Sequence, residues 1–182
     1  MSTLRNPVGP EDHAQGDADA SVILVEYGDY ECPHCGRAYP IVKQIQKHYG
    51  KKLRFVFRNF PLSEMHLHAE GAAESAEFAG AHHKFWPMHD LLFENQERLG
   101  GALYLEIAQS LGLEPAGLRK ALETREFAAR VKADFSGGVR SGVNGTPTFF
   151  INGRRHDAPF DYEDLKEAID AELSRVAKAA GA

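Results

Sequence analysis

Cys32 and Cys35 are the only cysteines among the 182 residues, and they are spaced as Cys32-Pro33-His34-Cys35. Any thiol chemistry the chain performs passes through them. Two thiols separated by one helical turn can close into a disulfide and reopen, and a nucleophilic thiolate is favoured where backbone N–H groups and the positive end of a helix dipole converge. Cys32 is the expected nucleophile. Pro33 suits the first helical turn, since its missing N–H has no partner there and its φ is already helical. His34 can place a donor or a positive charge beside the thiolate. The competing readings are half of a zinc site and two inert core thiols. No second cysteine pair exists, so histidines would have to complete a zinc site.

The elements on either side decide where this pair sits. Val22 to Tyr27 is a short apolar, β-branched run interrupted only by Glu26, the pattern of a central, parallel strand buried on both faces. After the motif, Ala38, Ile41, Val42, Ile45 and Tyr49 recur at helical spacing, with Pro40 inside the helix and Gly50 as its stop. Cys32 therefore belongs at a strand-to-helix junction. A carboxyl inside such a strand is costly when ionised, which makes Glu26, six residues before Cys32, a candidate proton acceptor and donor. The other reading of Glu26 is an acid at a strand end facing solvent.

Leu53 to Phe60 alternates as a second strand, completing a right-handed βαβ unit. Before it, Met1 to Ser21 has prolines, glycines and acids without a hydrophobic period and reads as an extended or disordered arm. After Pro61 the composition turns to alanine, glutamate and leucine, predicting a helical block. Ser63 is a candidate cap for its first helix, whose small face is Ala69, Ala72, Ala73 and Ala76, closed by Gly80. Phe85 to Phe93, with Trp86, reads as a buried second helix near Pro87. Three more follow, marked by Leu103 and Ile107, by Pro115 and Leu118, and by Phe127, Val131 and Phe135. The sheet pattern returns at Thr148 to Ile151, and Asn152-Gly153 predicts a hairpin to a partner strand at Arg154 to Ala158. A last helix starts near Asp161, with Asp164 three residues on. The fold class is α/β: βαβ, then helices, then ββα. Pro147, opening the returning strand after Gly142 to Thr146, is a candidate for a cis bond and equally for an ordinary trans one.

These residues together carry a resemblance. Cys-Pro-His-Cys at 32 to 35, Glu26 upstream, Pro40 in the following helix and Gly-Thr-Pro-Thr-Phe at 145 to 149 resemble the DsbA-like thiol-disulfide oxidoreductases, a thioredoxin fold with an all-helical insertion. The resemblance covers most of the chain. It implies a central mixed sheet and a division into an arm (1–21), a first fold half (22–62), a helical insertion (63–140) and a second fold half (141–182). It also implies that Cys35 is the buried resolving thiol, that Glu26 lies beneath the pair, and that Pro147 is cis and faces Cys32. The Thr146 backbone would then pair with an extended substrate. Pro33, Thr146 and Pro147 are thus expected to contact substrate. The Pro-His pair between the cysteines differs from the Gly-Pro of thioredoxin itself and points to a relatively oxidising couple.

A net charge of −5 with well-mixed signs gives no footprint for nucleic acid, and no apolar run approaches the roughly eighteen residues of a membrane span. Partners are expected to be protein or peptide thiols and disulfides, plus a redox partner protein or glutathione to reset the pair. No cofactor or metal is expected. Met1 to Ala20 lacks an apolar signal core, which as written places the chain in the cytoplasm; a leader removed before Met1 would place it in the periplasm or outside. Two rival functions stay open: a glutathione-dependent transferase or isomerase on the same fold, and a non-enzymatic redox or metal sensor, such as a domain docking on a transporter or regulator. The nine histidines, including His66, His68, His82, His83 and His89, form no complete ligand set and read as solvated or hydrogen-bonded helix residues. Tyr27 and Tyr30 either line a groove or pack.

Overall fold

The structure, a computed structural model, describes residues 2–181. Met1, at the head of the N-terminal arm, and Ala182, at the end of the second fold half, lie outside the described residues. The chain builds two compact units. One takes the residues up to Tyr27, then Arg37–Arg58 and everything from Gly137 onward; the other takes Gly28–Gly36 and Asn59–Ser136.

The first unit is organised by a sheet of five strands: β1 (His13–Gly16), β2 (Val22–Gly28), β3 (Leu53–Asn59), β4 (Thr148–Ile151) and β5 (Arg154–His156), in the order β1-β3-β2-β4-β5. The apolar run read from the sequence is thus the central strand. β1 runs antiparallel to β3, β4 to β2, and β5 to β4. β2 and β3 are neighbours joined through helix α1 (Pro33–Tyr49), the crossover that a parallel pair requires. Leu24, Val25 and Tyr27 of β2, Phe57 of β3 and Phe150 of β4 are all essentially inaccessible to solvent. Burial on both faces explains why β2 shows a continuous apolar run instead of alternation. Asn152 and Gly153 both take positive φ, 45° and 78°, as a tight two-residue hairpin turn requires. The Asn152 amide is fastened at both ends, accepting from Ile23 N at 2.8 Å and donating to Glu172 at 2.8 Å. That glutamate lies on the last helix, α7 (Tyr162–Ala180), which Asp161 caps by accepting from Asp164 N.

The arm is extended and tied down. β1 pairs residue for residue with β3, from His13 opposite Phe57 to Gly16 opposite Arg54, and further upstream Leu4 N donates to Gly153 O. The cause lies in Arg58, a buried guanidinium on β3 that composition alone assigns to the surface. It makes two bonds to the Asp12 carboxylate (2.7 and 2.9 Å), donates to the carbonyls of Asn6 and Pro7, and donates to Tyr27 Oη at 3.0 Å. A buried cation demands this many acceptors, and the arm supplies most of them.

The second unit holds helices α2 (Ala69–Ala81), α3 (Phe85–Glu94), α4 (Gly101–Ser110), α5 (Pro115–Thr124) and most of α6 (Ala128–Arg140). The small face of α2, with Ala69, Ala72, Ala73 and Ala76 all buried, lets α3, α4 and α5 pack around it. α3 buries Phe85, Met88, Leu92 and Phe93, while Trp86 is only half-buried at the helix edge. Ser63 caps nothing: it is exposed, and the first helix of the block begins six residues later. Leu62 and His66 are instead held by a carboxylate from the thiol turn, so residues 62–68 form tight turns in place of a helical start.

Replacing Arg58 with Leu leaves the nearly buried Asp12 carboxylate without its cation, at a cost of about 3–5 kcal/mol. A urea-unfolding midpoint falling by the corresponding amount, with the slope unchanged, is the expected outcome.

Candidate functional site

β2 ends at Gly28, and α1 begins at Pro33 after four intervening residues. Gly36 N donates to Cys32 O at 3.0 Å, the first hydrogen bond of the helix, which makes Cys32 its N-cap residue. Its side chain therefore sits where an N-cap oxygen would accept from the unsatisfied N–H groups of the first turn, and where an anion is stabilised. Both cysteines are buried: Cys32 is 4% exposed, Cys35 not at all. Pro33 and His34 between them are exposed. The accessible rim of the motif thus consists of Pro33, His34 and the edge of Cys32.

The turn is held by groups from well beyond the motif. Asp29 is the hub. Its carboxylate accepts from Glu31 N (2.8 Å), from Leu62 N (2.8 Å) and from His66 Nδ1 (2.7 Å), its own N–H donates to Cys35 Sγ at 3.4 Å, and its carbonyl accepts from Cys32 N at 3.2 Å. Gln96 closes the other side, donating from Nε2 to the carbonyls of Tyr30 (2.7 Å) and Cys32 (2.9 Å). Gly36 is what admits this amide, because a Cβ there would lie 2.3 Å from Gln96 Oε1. Tyr30 is core: its hydroxyl meets His89 Nδ1 at 3.0 Å and its ring packs on Phe93. Tyr27 is equally buried under Arg58, so packing is the role of both tyrosines.

The remaining expected site residues belong to the sheet. Glu26 is 3% exposed in β2, opposite Phe149 of β4, which removes the reading of a solvent-facing strand-end acid. Thr146 and Pro147 lead into β4, half-buried, and the peptide bond between them is cis. His66 raises a different matter. Burial opposes its charge, but the hydrogen bond and the charge of Asp29, followed by the charges of Cys32 and Glu31, raise its pKa above the usual histidine value. Asp29, His66 and Gln96 were not among the expected site residues. An Asx turn two residues ahead of Glu31 was a local signal for Asp29; His66 and Gln96 had none. Among the described residues no group of three or more histidines, cysteines and acids is placed to hold a metal ion.

The thioredoxin family model, described simply as Thioredoxin, matches residues 9–171. The chain belongs to that family. Among solved structures, BdbD from Bacillus subtilis in its oxidised form is 28% identical, with a TM-score of 0.86 over 95% of this chain and 98% of that one. Alpha-DsbA1 from Wolbachia pipientis, at 20% identity, superposes with a TM-score of 0.84 over 97% of this chain and 98% of that one, a likeness of fold. The DsbA-like form of the thioredoxin fold read from the sequence is therefore the one the chain adopts. A curated relative, the Na(+)/H(+) antiporter NhaA 1 of Salinispora arenicola, is 44% identical over 91% of this chain but only 26% of its own length. The chain thus spans about a quarter of the curated relatives it matches.

Gly36 and Gln96 yield a coupled test. Gln96→Ala removes the donor to Tyr30 O and should cost about 1–2 kcal/mol, and Gly36→Ala should cost a similar amount by expelling the same amide. In the double variant the second substitution should cost nothing, since alanine is the better helix former. Chemical denaturation of the four proteins measures the cycle.

Proposed function

We propose that the chain is a thiol-disulfide oxidoreductase that exchanges disulfides with protein or peptide substrates through Cys32 and Cys35, on the oxidising side of the range such couples span. One observation carries the reading: Cys32 is the N-cap residue of a 17-residue helix, with Cys35 fully buried one turn behind it. An anion at that position is stabilised, which favours the reduced state of the pair and makes its disulfide a good oxidant.

In the donor direction a substrate thiolate attacks the Cys32 sulfur of the Cys32–Cys35 disulfide, and Cys35 leaves, taking up a proton. A second substrate thiolate then attacks the substrate sulfur of the mixed disulfide and releases Cys32 as thiolate. Both electrons end on the enzyme pair, and a redox partner protein or glutathione must remove them. Running in reverse, Cys32 attacks a substrate disulfide and Cys35 resolves. Glu26 is the proposed proton acceptor and donor for Cys35, on the strength of its burial in β2. His34, exposed in the first turn, adds a donor or charge at Cys32. Pro33, Thr146 and Pro147 are the proposed substrate contacts, the last two offering backbone to an extended peptide as the DsbA-like resemblance implies. A glutathione transferase has no use for a second thiol, and the buried Cys35 with its backbone donor speaks against it.

The antiporter relatives support a second reading of the same dithiol, as a redox module that acts on an attached or neighbouring transporter. No helix among the described residues is long and apolar enough to cross a membrane, so ion transport itself would belong to another part of such a protein.

Equilibration in glutathione buffers, with thiols counted by alkylation and mass, should give a potential above about −170 mV; a value below about −230 mV would assign the chain to reductants. Cys35→Ser should accumulate a mixed disulfide and stall, whereas a glutathione transferase would keep turning over. His34→Ser should raise the Cys32 pKa, and an unchanged thiolate titration removes His34 from the mechanism.

A further inference from the structure

The exchange chemistry leaves one part of the site unused. Asp29 has a side chain with no solvent exposure, hydrogen-bonded at 2.7 Å to a histidine that is itself 15% exposed. A buried carboxylate three residues before a nucleophilic cysteine works against the thiolate, since like charges in a poorly screened site repel. Glu31 adds to the problem: it is half-buried beside Cys32, and its carboxylate accepts from His68 N at 2.6 Å. A Cys32 thiolate is therefore a third negative charge in a cluster that already holds two. The helix dipole and His34 offset part of this repulsion, and a cation on the buried carboxylate offsets it where it arises.

Asp29 and Cys32 face His66 from the thiol turn, and so does Glu31. Its own loop carries Glu64 and His68, both exposed, while from α4 the Tyr104 hydroxyl donates to His68 O at 2.8 Å. His34, on the first turn of α1, is exposed. His66 is thus surrounded by acids and by the thiol, and it is hydrogen-bonded to the one acid that is fully buried.

Resting on the exchange reading, we propose that His66 is a positioning residue of the dithiol: as an imidazolium on Asp29 it supplies the counter-charge that holds Cys32 as thiolate, and it gains or loses its proton with the redox state of the pair. On reduction, two thiols such as glutathione act in turn, the first opening the Cys32–Cys35 bond to a mixed disulfide and the second releasing Cys32; they leave as their own disulfide, having supplied two electrons and two protons. Cys35 takes one proton, Cys32 stays a thiolate, and the new negative charge draws a second proton onto His66. On oxidation the thiolate charge disappears and His66 releases that proton. The coupling is reciprocal by linkage: whatever the thiolate does to His66, the imidazolium does to Cys32.

The test uses the full chain and two measurements. Histidine NMR titrations of the dithiol and disulfide forms should give a higher His66 pKa in the dithiol. The pH profile of Cys32 alkylation by iodoacetamide should shift upward in His66→Gln, slowing the reaction at pH 6 roughly three- to tenfold. Glutamine can still donate a hydrogen bond to Asp29 but carries no charge, so a merely structural role would leave the profile in place. Equal His66 pKa values in the two redox forms overturn the proposal, as does an unshifted profile in folded His66→Gln. Should the variant not fold, the titrations of the unaltered protein decide alone. Both measurements read proton coupling and neither needs a protein substrate. A redox-dependent His66 pKa in a chain that fails to exchange disulfides with reduced ribonuclease or insulin would therefore support the coupling while removing the exchange reading.

Discussion

One buried carboxylate holds the thiol turn in shape. A helix N-terminus stabilises an anion only if the chain entering it has a fixed direction, and four residues between a strand and a helix have little intrinsic rigidity. Asp29 supplies what the turn lacks. Its side chain gathers the amides of Glu31 and Leu62 and the ring of His66, and its backbone reaches the sulfur of Cys35 and the amide of Cys32. Three donors on one carboxylate compensate much of the penalty for burying it, and they link the turn before the helix to the loop after β3. Gln96 performs the complementary task on the carbonyl side, so both strands of the turn are pinned without any covalent constraint.

The sheet solves a second burial problem by the same means. Arg58 occupies a position on β3 that is nearly closed to solvent, and its five N–H groups need acceptors that a β-sheet does not provide. Asn6, Pro7 and Asp12 provide them, and in doing so they order a segment with almost no hydrophobic content. β1 then follows as the edge strand beside β3. At its end Gly16 takes φ 98° where a Cβ would strike Leu53 O at 2.4 Å, so only glycine can leave the sheet there. The arm is thus held by polar satisfaction more than by apolar burial.

That difference explains what could be read from the sequence. Elements that bury apolar surface announce themselves by period: β2, β3 and β4, the helix carrying the thiols, the five helices after Pro61 and the Asn152-Gly153 turn all fall where periodicity and turn chemistry place them. The dithiol was legible because cysteine is scarce and its spacing is local. The arm was not, because its order depends on a guanidinium some fifty residues away. Ser63 as a helix cap failed for the same reason: Asp29 holds Leu62 and His66, and the amides of Met65 and His66 that a Ser63 cap would take donate to Leu62 O instead. His66 read as a bland helix histidine because nothing in its neighbourhood of sequence shows that a buried acid waits for it, and Gln96 reaches the turn from more than sixty residues away.

On the proposed function, the direction of electron flow becomes a question of charge around a single sulfur. The helix N-terminus and His34 favour the Cys32 thiolate, and Asp29 and Glu31 oppose it. The geometry of the turn cannot do without Asp29, so the acid that builds the site also works against its chemistry. A histidine resolves the conflict in a way a lysine would not, because its charge can leave when the thiolate does. The disulfide form then carries a neutral ring over a carboxylate that keeps its two backbone donors, and the turn keeps its shape in both redox states while the proton moves. A site arranged in this way separates the group that fixes geometry from the group that balances charge, and it allows the potential to be tuned at residue 66 without disturbing the turn that presents Cys32.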